Sequence, residues 1–152
     1  MFKNLKDLFP TEEEKKPSDP KERVKIATCV LMLEAARIDE EYSDDERDHI
    51  LVTMGERYHL SESEAEELLE HSRQSREESV DVWQFTHQIN KACNLDEKIE
   101  IVEEVWRVVV ADEGIHGNET HFMRQLGKLL NLTNPQVIDA KVKVLNEVRD
   151  AD

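Results

Sequence analysis

Two clusters of acidic side chains are the residues in this sequence best suited to chemistry. Each cluster follows a strongly apolar segment and places several carboxylates within eight residues. Carboxylate oxygens are ligands that Ca²⁺ and Mg²⁺ prefer, with about six to eight oxygens around Ca²⁺ and about six around Mg²⁺. The clusters therefore predict a site for a divalent cation. Its candidate ligands are Asp39, Glu41 and Glu46 in the first cluster and Asp112, Glu113 and Glu119 in the second.

Neither cluster has the spacing of an EF-hand calcium loop, which needs glycine at its sixth position and glutamate at its twelfth. Counting from Asp39, the sixth residue is Asp44 and the twelfth is Ile50. Counting from Asp112, the twelfth residue is Met123. A cation bound by these clusters would therefore have a different coordination geometry.

A histidine widens the choice of metal in the second cluster. His116 precedes Glu119 by three residues, and imidazole together with carboxylate suits Zn²⁺. His121 lies two residues after Glu119, so on a helix it points away from the other two side chains. The sequence has no His-Glu-x-x-His motif and no full tetrahedral ligand set. Zn²⁺ is therefore a weaker expectation than Ca²⁺ or Mg²⁺.

The acidic side chains also have explanations that need no cation. Glu46 and Glu119 fall in predicted first helical turns, where the helix dipole favours a negative charge. The segment from residue 39 to residue 70 contains thirteen acidic residues and two basic ones, Arg47 and Arg57. This segment could be a negative docking face for a basic partner, or a solvated surface that keeps the protein soluble.

The composition excludes several classes of function. The chain has 152 residues and a net charge of −15, which argues against nucleic acid as a partner because phosphate binding needs a basic face. It contains four glycines and no phosphate loop, dinucleotide fingerprint or nucleophile motif. Cys29 and Cys93 lie in apolar stretches, where unreactive buried thiols are common. We therefore expect a protein that is not an enzyme.

Residues 1–18 are predicted to form a tail outside the folded domain. This tail lacks the apolar core of a signal peptide, and no apolar run in the chain is long enough to span a membrane. The expected location is the cytoplasm, with peripheral contact at the inner membrane as an alternative. Within residues 2–9, four apolar side chains would form one stripe on a short helix and could contact a membrane surface or a complex: Phe2, Leu5, Leu8 and Phe9.

Residues 19–150 are predicted to form one all-α domain. Two helices are apolar on almost every side and must be buried, the first from Val24 and the second from Ile99. The second includes residues 108–110, a valine run that suits a strand in isolation, but the helical periodicity from Ile99 onward favours a helix. Amphipathic helices follow both buried helices. The polar run at residues 72–79 is predicted to be a loop.

The sequence contains an internal repeat. Glu119 lies 73 residues after Glu46, and Thr133 lies 72 residues after Ser61. The repeated unit is a buried helix, an acidic turn, an amphipathic helix and a final helix, whose predicted N-cap is Ser61 in the first unit and Thr133 in the second. Two units predict an all-α fold of about seven helices, with two pseudo-symmetric repeats around a buried central helix pair. A helix that contains Trp83 would join the two halves.

The repeated segments resemble the TerB-like family, named after a bacterial tellurite-resistance protein and similar to the N-terminal domain of the membrane co-chaperone DjlA. The resemblance covers roughly residues 20–147. It rests on an alanine-rich helix end that runs into an acidic turn with a glutamate seven residues on, once in each half. Residues 35–46 and 111–119 are these segments, and residues 83–86 and 104–107 are similar to the family's middle section.

One detail departs from the family pattern. The usual Asp-Gly of the turn is Asp39-Glu40 in the first half and Asp112-Glu113 in the second. The resemblance implies an all-helical, non-enzymatic bacterial protein that is stress-responsive or metal-associated and is linked to tellurite, phage or toxin resistance. Together with the acidic turns, it predicts a protein that binds a cation or a basic partner. The alternative is a co-chaperone-like interaction module that docks to a membrane or a complex through its N-terminal segment.

Overall fold

The computed structural model describes residues 19–36, 44–111 and 117–150 of the chain. Seven α-helices make up most of this described part, which confirms the all-α prediction. None of these helices combines the length and the apolar character that crossing a bilayer requires. In chain order the helices are α1 (Pro20–Ala36), α2 (Asp44–Tyr58), α3 (Glu62–Glu77), α4 (Trp83–Ala92), α5 (Leu95–Ala111), α6 (Gly117–Leu129) and α7 (Asn134–Asp150).

Helices α1 and α5 pack against each other and supply most of the core. α1 begins at Pro20, whose fixed φ suits a first helical residue. Asp19 caps this helix, because its Oδ1 accepts a hydrogen bond from the Lys21 amide at 3.0 Å. α5 stays helical through Val108 and Val109, which are both buried. Packing on all sides therefore outweighs the strand preference of valine.

Trp106 attaches α5 to α7. Its side chain is buried, and its Nε1 donates a hydrogen bond to the Val137 carbonyl at 3.1 Å. Lys141 Nζ lies 5.6 Å from the ring centroid, within the range of a cation–π contact. An ion pair between Lys143 and Glu103, with 3.1 Å between Nζ and Oε1, joins the same two helices. α7 is therefore fixed to α5 by apolar and polar contacts together.

The contacts between helices occur in equivalent pairs. α1 packs on α2 and α3 as α5 packs on α6 and α7, and α2 packs on α3 as α6 packs on α7. α2 also contacts α5, and α6 contacts α1. Two structural repeats related by a twofold rotation would produce this arrangement. α4 packs on α1 and α6; its Trp83 is exposed and stacks on His87 with 4.6 Å between ring centroids.

The turn from α2 to α3 has the same backbone features as the turn from α6 to α7. Each turn closes with a hydrogen bond from a leucine amide to a glycine carbonyl, and the residue before each leucine is left-handed. The two sets lie 72 residues apart. The bonds are Leu60 to Gly55 at 3.0 Å and Leu132 to Gly127 at 2.8 Å, and the left-handed residues are His59 (φ 55°) and Asn131 (φ 60°).

Both turns lead into a capping box, which confirms the caps predicted at Ser61 and Thr133. Ser61 Oγ accepts a hydrogen bond from the Glu64 amide at 3.1 Å, while Glu64 Oε1 accepts one from the Ser61 amide at 2.9 Å. Gln136 and Thr133 exchange the same pair of bonds at 3.3 Å and 2.8 Å. Each box satisfies two backbone amides that a helix start leaves without an intrahelical partner.

The prediction of a loop at residues 72–79 was wrong, because α3 continues to Glu77. Ser72 and Ser75 are buried on the inner face of α3, and Ser72 Oγ donates a hydrogen bond to the Leu68 carbonyl at 2.8 Å. Small side chains on this face allow α3 to pack closely on α1. This close packing outweighs the modest helix propensity of serine.

Candidate functional site

Two glutamates occupy equivalent places at the starts of α2 and α6. Glu46 and Glu119 both lie in the first turn of their helix. Each is only 2% exposed, although a carboxylate is almost never fully buried without a partner or a metal ion. Both side chains already engage a neighbouring group. Their burial separates them from the many solvated acids of this chain.

The helix dipole does not account for the burial of Glu46. Asp44 and Asp45 lie in the same first turn and are exposed, so they stabilise the positive end of α2 while staying hydrated. Glu46 gives up the hydration that these two residues keep. The neighbouring group that Glu46 engages, and not the helix dipole alone, therefore offsets this loss of hydration.

The structure describes two of the seven predicted metal ligands, namely Glu46 and Glu119. Within the three described ranges, no group of three or more His, Cys, Asp or Glu side chains is arranged to hold a metal ion. A cation beside either glutamate would therefore need ligands from the acidic turn before it. The other predicted ligands lie outside the described residues: Asp39, Glu41, Asp112, Glu113 and His116.

His49 lies one helical turn after Glu46. Its Nε2 is buried and has no hydrogen-bond partner in the part of the chain that the structure describes. Burial lowers the pKa of His49, the positive charge of Arg107 lowers it further, and the charge of Glu56 opposes both effects. The imidazole is therefore neutral at pH 7, which is also the form that binds metal ions.

An ion-pair network on α5 lies close to His49. Arg107 Nη1 is 2.7 Å from Glu104 Oε1, and its Nη2 is 2.8 Å from Glu147 Oε1 on α7. Burial raises the pKa of the Glu104 carboxyl, while Arg107 and Arg57 act in the opposite direction. The sequence analysis missed this network. Only the spacing of three residues between Glu104 and Arg107, which brings side chains together on a helix, indicated it.

A comparison with known protein families identifies the family of this chain. Residues 25–142 match the family model described as Tellurite resistance protein TerB. The chain belongs to the TerB family. This match confirms the resemblance seen in the sequence, whereas the similarity to DjlA stays a prediction. No match was found among curated proteins, and none among solved structures.

The match runs from α1 into α7 of this TerB-family chain. It therefore includes both buried glutamates and both of the left-handed turns. It also includes α4, which lies outside the equivalent helix pairs.

A cleft of about 380 Å³ lies between α4 and the ends of α1 and α3. Phe85 is one of its lining residues and is itself buried. The wall is fixed by hydrogen bonds of 2.7 Å from Gln84 Nε2 to Ser79 Oγ and from Ser79 Oγ to the Ser75 carbonyl. This volume lies near the lower end of the range of about 300–1,000 Å³ that is typical of small-molecule sites. The remaining polar side chains of the lining are Arg23, Glu78 and Gln88.

The two thiols of the TerB-family chain are in poor positions for nucleophilic chemistry. Burial raises the pKa of Cys29 to about 12, although a hydrogen bond with Ser72 lowers it slightly. Burial also raises the pKa of Cys93. Because the thiolate is the reactive form, both side chains are protonated and unreactive at neutral pH.

Proposed function

We propose that this TerB-family chain acts by binding rather than by catalysis, and that its duplicated acidic turns bind a divalent cation. The cation would be Ca²⁺ or Mg²⁺, since the candidate ligands are mainly carboxylates, with Zn²⁺ as the less favoured choice. Glu46 and Glu119 would contribute ligands from the helix starts. The turns would contribute Asp39, Glu41, Asp112, Glu113 and His116.

The equivalent burial of Glu46 and Glu119 carries this proposal. Both carboxylates are withdrawn from water in the first helical turn that follows an acidic turn. A nearby cation offsets the loss of hydration that such burial costs. Each site would combine a fixed carboxylate on a helix with further oxygen ligands from the turn.

Thermal unfolding with Ca²⁺, Mg²⁺, Mn²⁺ and Zn²⁺ tests the cation proposal. A cation that binds the folded chain at about one hundred times its dissociation constant adds about 2.7 kcal/mol to the free energy of unfolding. For a chain of this size, that corresponds to a rise in Tm of roughly 5–10 °C. The double variant Asp39→Asn/Asp112→Asn should lose this rise, because it removes one carboxylate from each turn.

The matched control is Asp45→Asn, which removes the same charge from an exposed position beside Glu46. This variant should keep the metal-dependent rise in Tm. A wild-type chain whose Tm responds to none of the four cations would remove the cation version of the proposal. An equal loss in Asp45→Asn and in the double variant would point to general charge screening instead.

A basic protein partner is the second version of this proposal. The exposed side of α3 supports it, because Glu62 and Glu66 both lie in solvent there. Binding through such a surface should weaken as salt screens the charges. Co-purification at about 50 mM and about 500 mM salt tests this version. A partner that is retained equally at both salt concentrations would contradict it.

The N-terminal segment supports an alternative function as an interaction module. Phe2, Leu5, Leu8 and Phe9 have the spacing of an amphipathic helix, and this segment lies outside the described residues. In this alternative, residues 1–18 dock the domain to a membrane or a complex. Deleting them should then shift the chain between cell fractions and remove co-purifying proteins. An unchanged distribution would count against the alternative.

A further inference from the structure

Helix α7 has an apolar stripe on its outer face. The stripe consists of Ile138, Val142, Leu145 and Val148, which are 38–49% exposed. Half of the exposed large hydrophobic side chains in the described part of the chain lie on this one helix. The stripe is not needed to attach α7 to the domain. A separate buried face does so, through Val137, Ala140 and Val144.

The equivalent helix of the first repeat, α3, shows that this outer face can be charged. Its outer side chains lie largely in solvent, and Arg73 pairs with Glu70 at 2.6 Å. The fold thus accepts charged residues at these positions, so the apolar residues of α7 need a reason outside the domain. At the 72-residue offset, Ile138, Val142 and Leu145 correspond to Glu66, Glu70 and Arg73.

The charges on α7 are balanced, although the whole chain carries a net charge of −15. Two copies could therefore approach along this helix without the repulsion that the acidic surfaces elsewhere would cause. The three acidic residues of α7 are Asp139, Glu147 and Asp150, and its three basic residues are Lys141, Lys143 and Arg149.

The first and last side chains of the stripe are each followed directly by a charged residue, and these two residues differ in sign. Asp139 lies beside Ile138 at one end, and Arg149 lies beside Val148 at the other, ten residues later. Ten residues of helix span about 15 Å. An antiparallel pair of α7 helices would place each Asp139 near the Arg149 of the other copy. A parallel pair would instead place the two Asp139 side chains near each other, and likewise the two Arg149 side chains.

We propose that two copies of this chain pair through the α7 stripe, with the helices antiparallel across a twofold axis near Val142 and Leu145. The contact is isologous, since the same stripe serves both copies. The apolar side chains form its centre, and Asp139 and Arg149 fix its direction. Because a single helix face is smaller than a standard interface of about 800 Å² per partner, the dimer is reversible.

Sedimentation equilibrium of the full chain tests the pairing. The chain concentration should run from about 10 µM to about 1 mM, the range of dissociation constants expected for a small interface. The wild type should shift from monomer to dimer with concentration. Val142→Glu should weaken association at least tenfold, since it buries a charge in the seam. The matched control is Val52→Glu on α2, which is another exposed valine in a helix (57% against 47% exposed). It should associate like the wild type.

A charge exchange tests the antiparallel direction. Asp139→Arg and Arg149→Asp should each weaken the dimer several-fold, and the double variant should restore it. Circular dichroism melts of every variant establish that the monomers fold.

Three results would overturn the proposal. The first is a wild type that stays monomeric at about 1 mM, a concentration at which even a small interface should associate. The second is equal association of Val142→Glu and the wild type. The third is a monomeric chain that binds phospholipid vesicles in a manner that Val142→Glu abolishes, because this would assign the stripe to a lipid surface. Failure of the charge exchange alone would overturn the antiparallel direction.

Discussion

The buried ionisable side chains of this TerB-family chain differ in their surroundings. Glu104 lies beside Arg107 and Arg57, yet burial still raises its pKa, and Glu103 and Glu147 act in the same direction as burial. Glu46 and Glu119 are buried at the starts of equivalent helices. The sequence pointed to both glutamates through their matching positions. It did not predict their burial, because burial depends on how α2 and α6 pack.

Acidification should destabilise the chain through His49. The ordinary pKa of 6.5 applies to the unfolded chain, whereas burial lowers the pKa in the folded chain. As the pH falls below about 6.5, the unfolded state therefore takes up the proton first, and the free energy of unfolding decreases until the folded pKa is passed. Urea unfolding at about pH 7.5 and pH 5.5 measures this loss. His49→Gln should reduce it.

The exposed His121 supplies the control, because it lies 72 residues after His49. His121→Gln should keep the pH dependence of the wild type. If His49→Gln and the wild type lost the same stability between the two pH values, the acid sensitivity would have to come from other groups.

At the level of helices and turns, local sequence rules predicted a good deal. The caps at Ser61 and Thr133 and the proline start of α1 are visible as short patterns, because each depends on a few neighbouring residues. The continuation of α3 through residues 72–77 escaped these rules. Its serines are buried against α1, and that contact joins parts of the chain more than forty residues apart, as Cys29 and Ser72 show.

Gly55 and Gly127 provide the carbonyls that close the two turns. Replacing them by alanine should have opposite effects on the free energy of unfolding. A Cβ at Gly127 would lie 2.5 Å from Val137 Cγ2, and Val137 is buried and fixed by the Trp106 hydrogen bond. Gly127→Ala should therefore cost about 1–3 kcal/mol of the free energy of unfolding, as overpacking does. Urea unfolding measures the change.

Gly55→Ala is the matched variant in the first repeat. The nearest atom to its Cβ would be the Leu60 carbonyl oxygen at 3.4 Å, which is an ordinary contact. Because alanine favours a helix over glycine, this variant should gain about 0.5–1 kcal/mol. A similar loss of stability at both positions would contradict the close approach of α6 and α7.

At the scale of the whole molecule, α4 packs on both α1 and α6. Asn90 Nδ2 donates a hydrogen bond to the Leu129 carbonyl at the end of α6, at 2.8 Å. Lys98 Nζ lies 3.0 Å from the Leu130 carbonyl and 3.3 Å from Asn90 Oδ1. These side chains satisfy carbonyls that a helix end leaves free. The sequence predicted a joining helix here but not these bonds, because they depend on the tertiary arrangement.

Asn90→Ala should destabilise the chain by about 1–2 kcal/mol, because the partly buried Leu129 carbonyl loses its partner. The neighbouring exposed Lys91 provides the control, and Lys91→Ala should change stability by less than about 0.5 kcal/mol. Chemical denaturation followed by circular dichroism measures both variants. Equal stability of Asn90→Ala and the wild type would show that this bond does not help to join the repeats.

The two tryptophans give this chain two optical reporters in opposite surroundings. Trp106 is enclosed between α5 and α7, so its fluorescence emission should lie at short wavelength and be shielded from iodide. Trp83 is 56% exposed and stacks on His87, so iodide should quench it readily. Loosening of the core would shift the emission of Trp106 to longer wavelength. A ligand that covers α4 would instead protect Trp83 from the quencher.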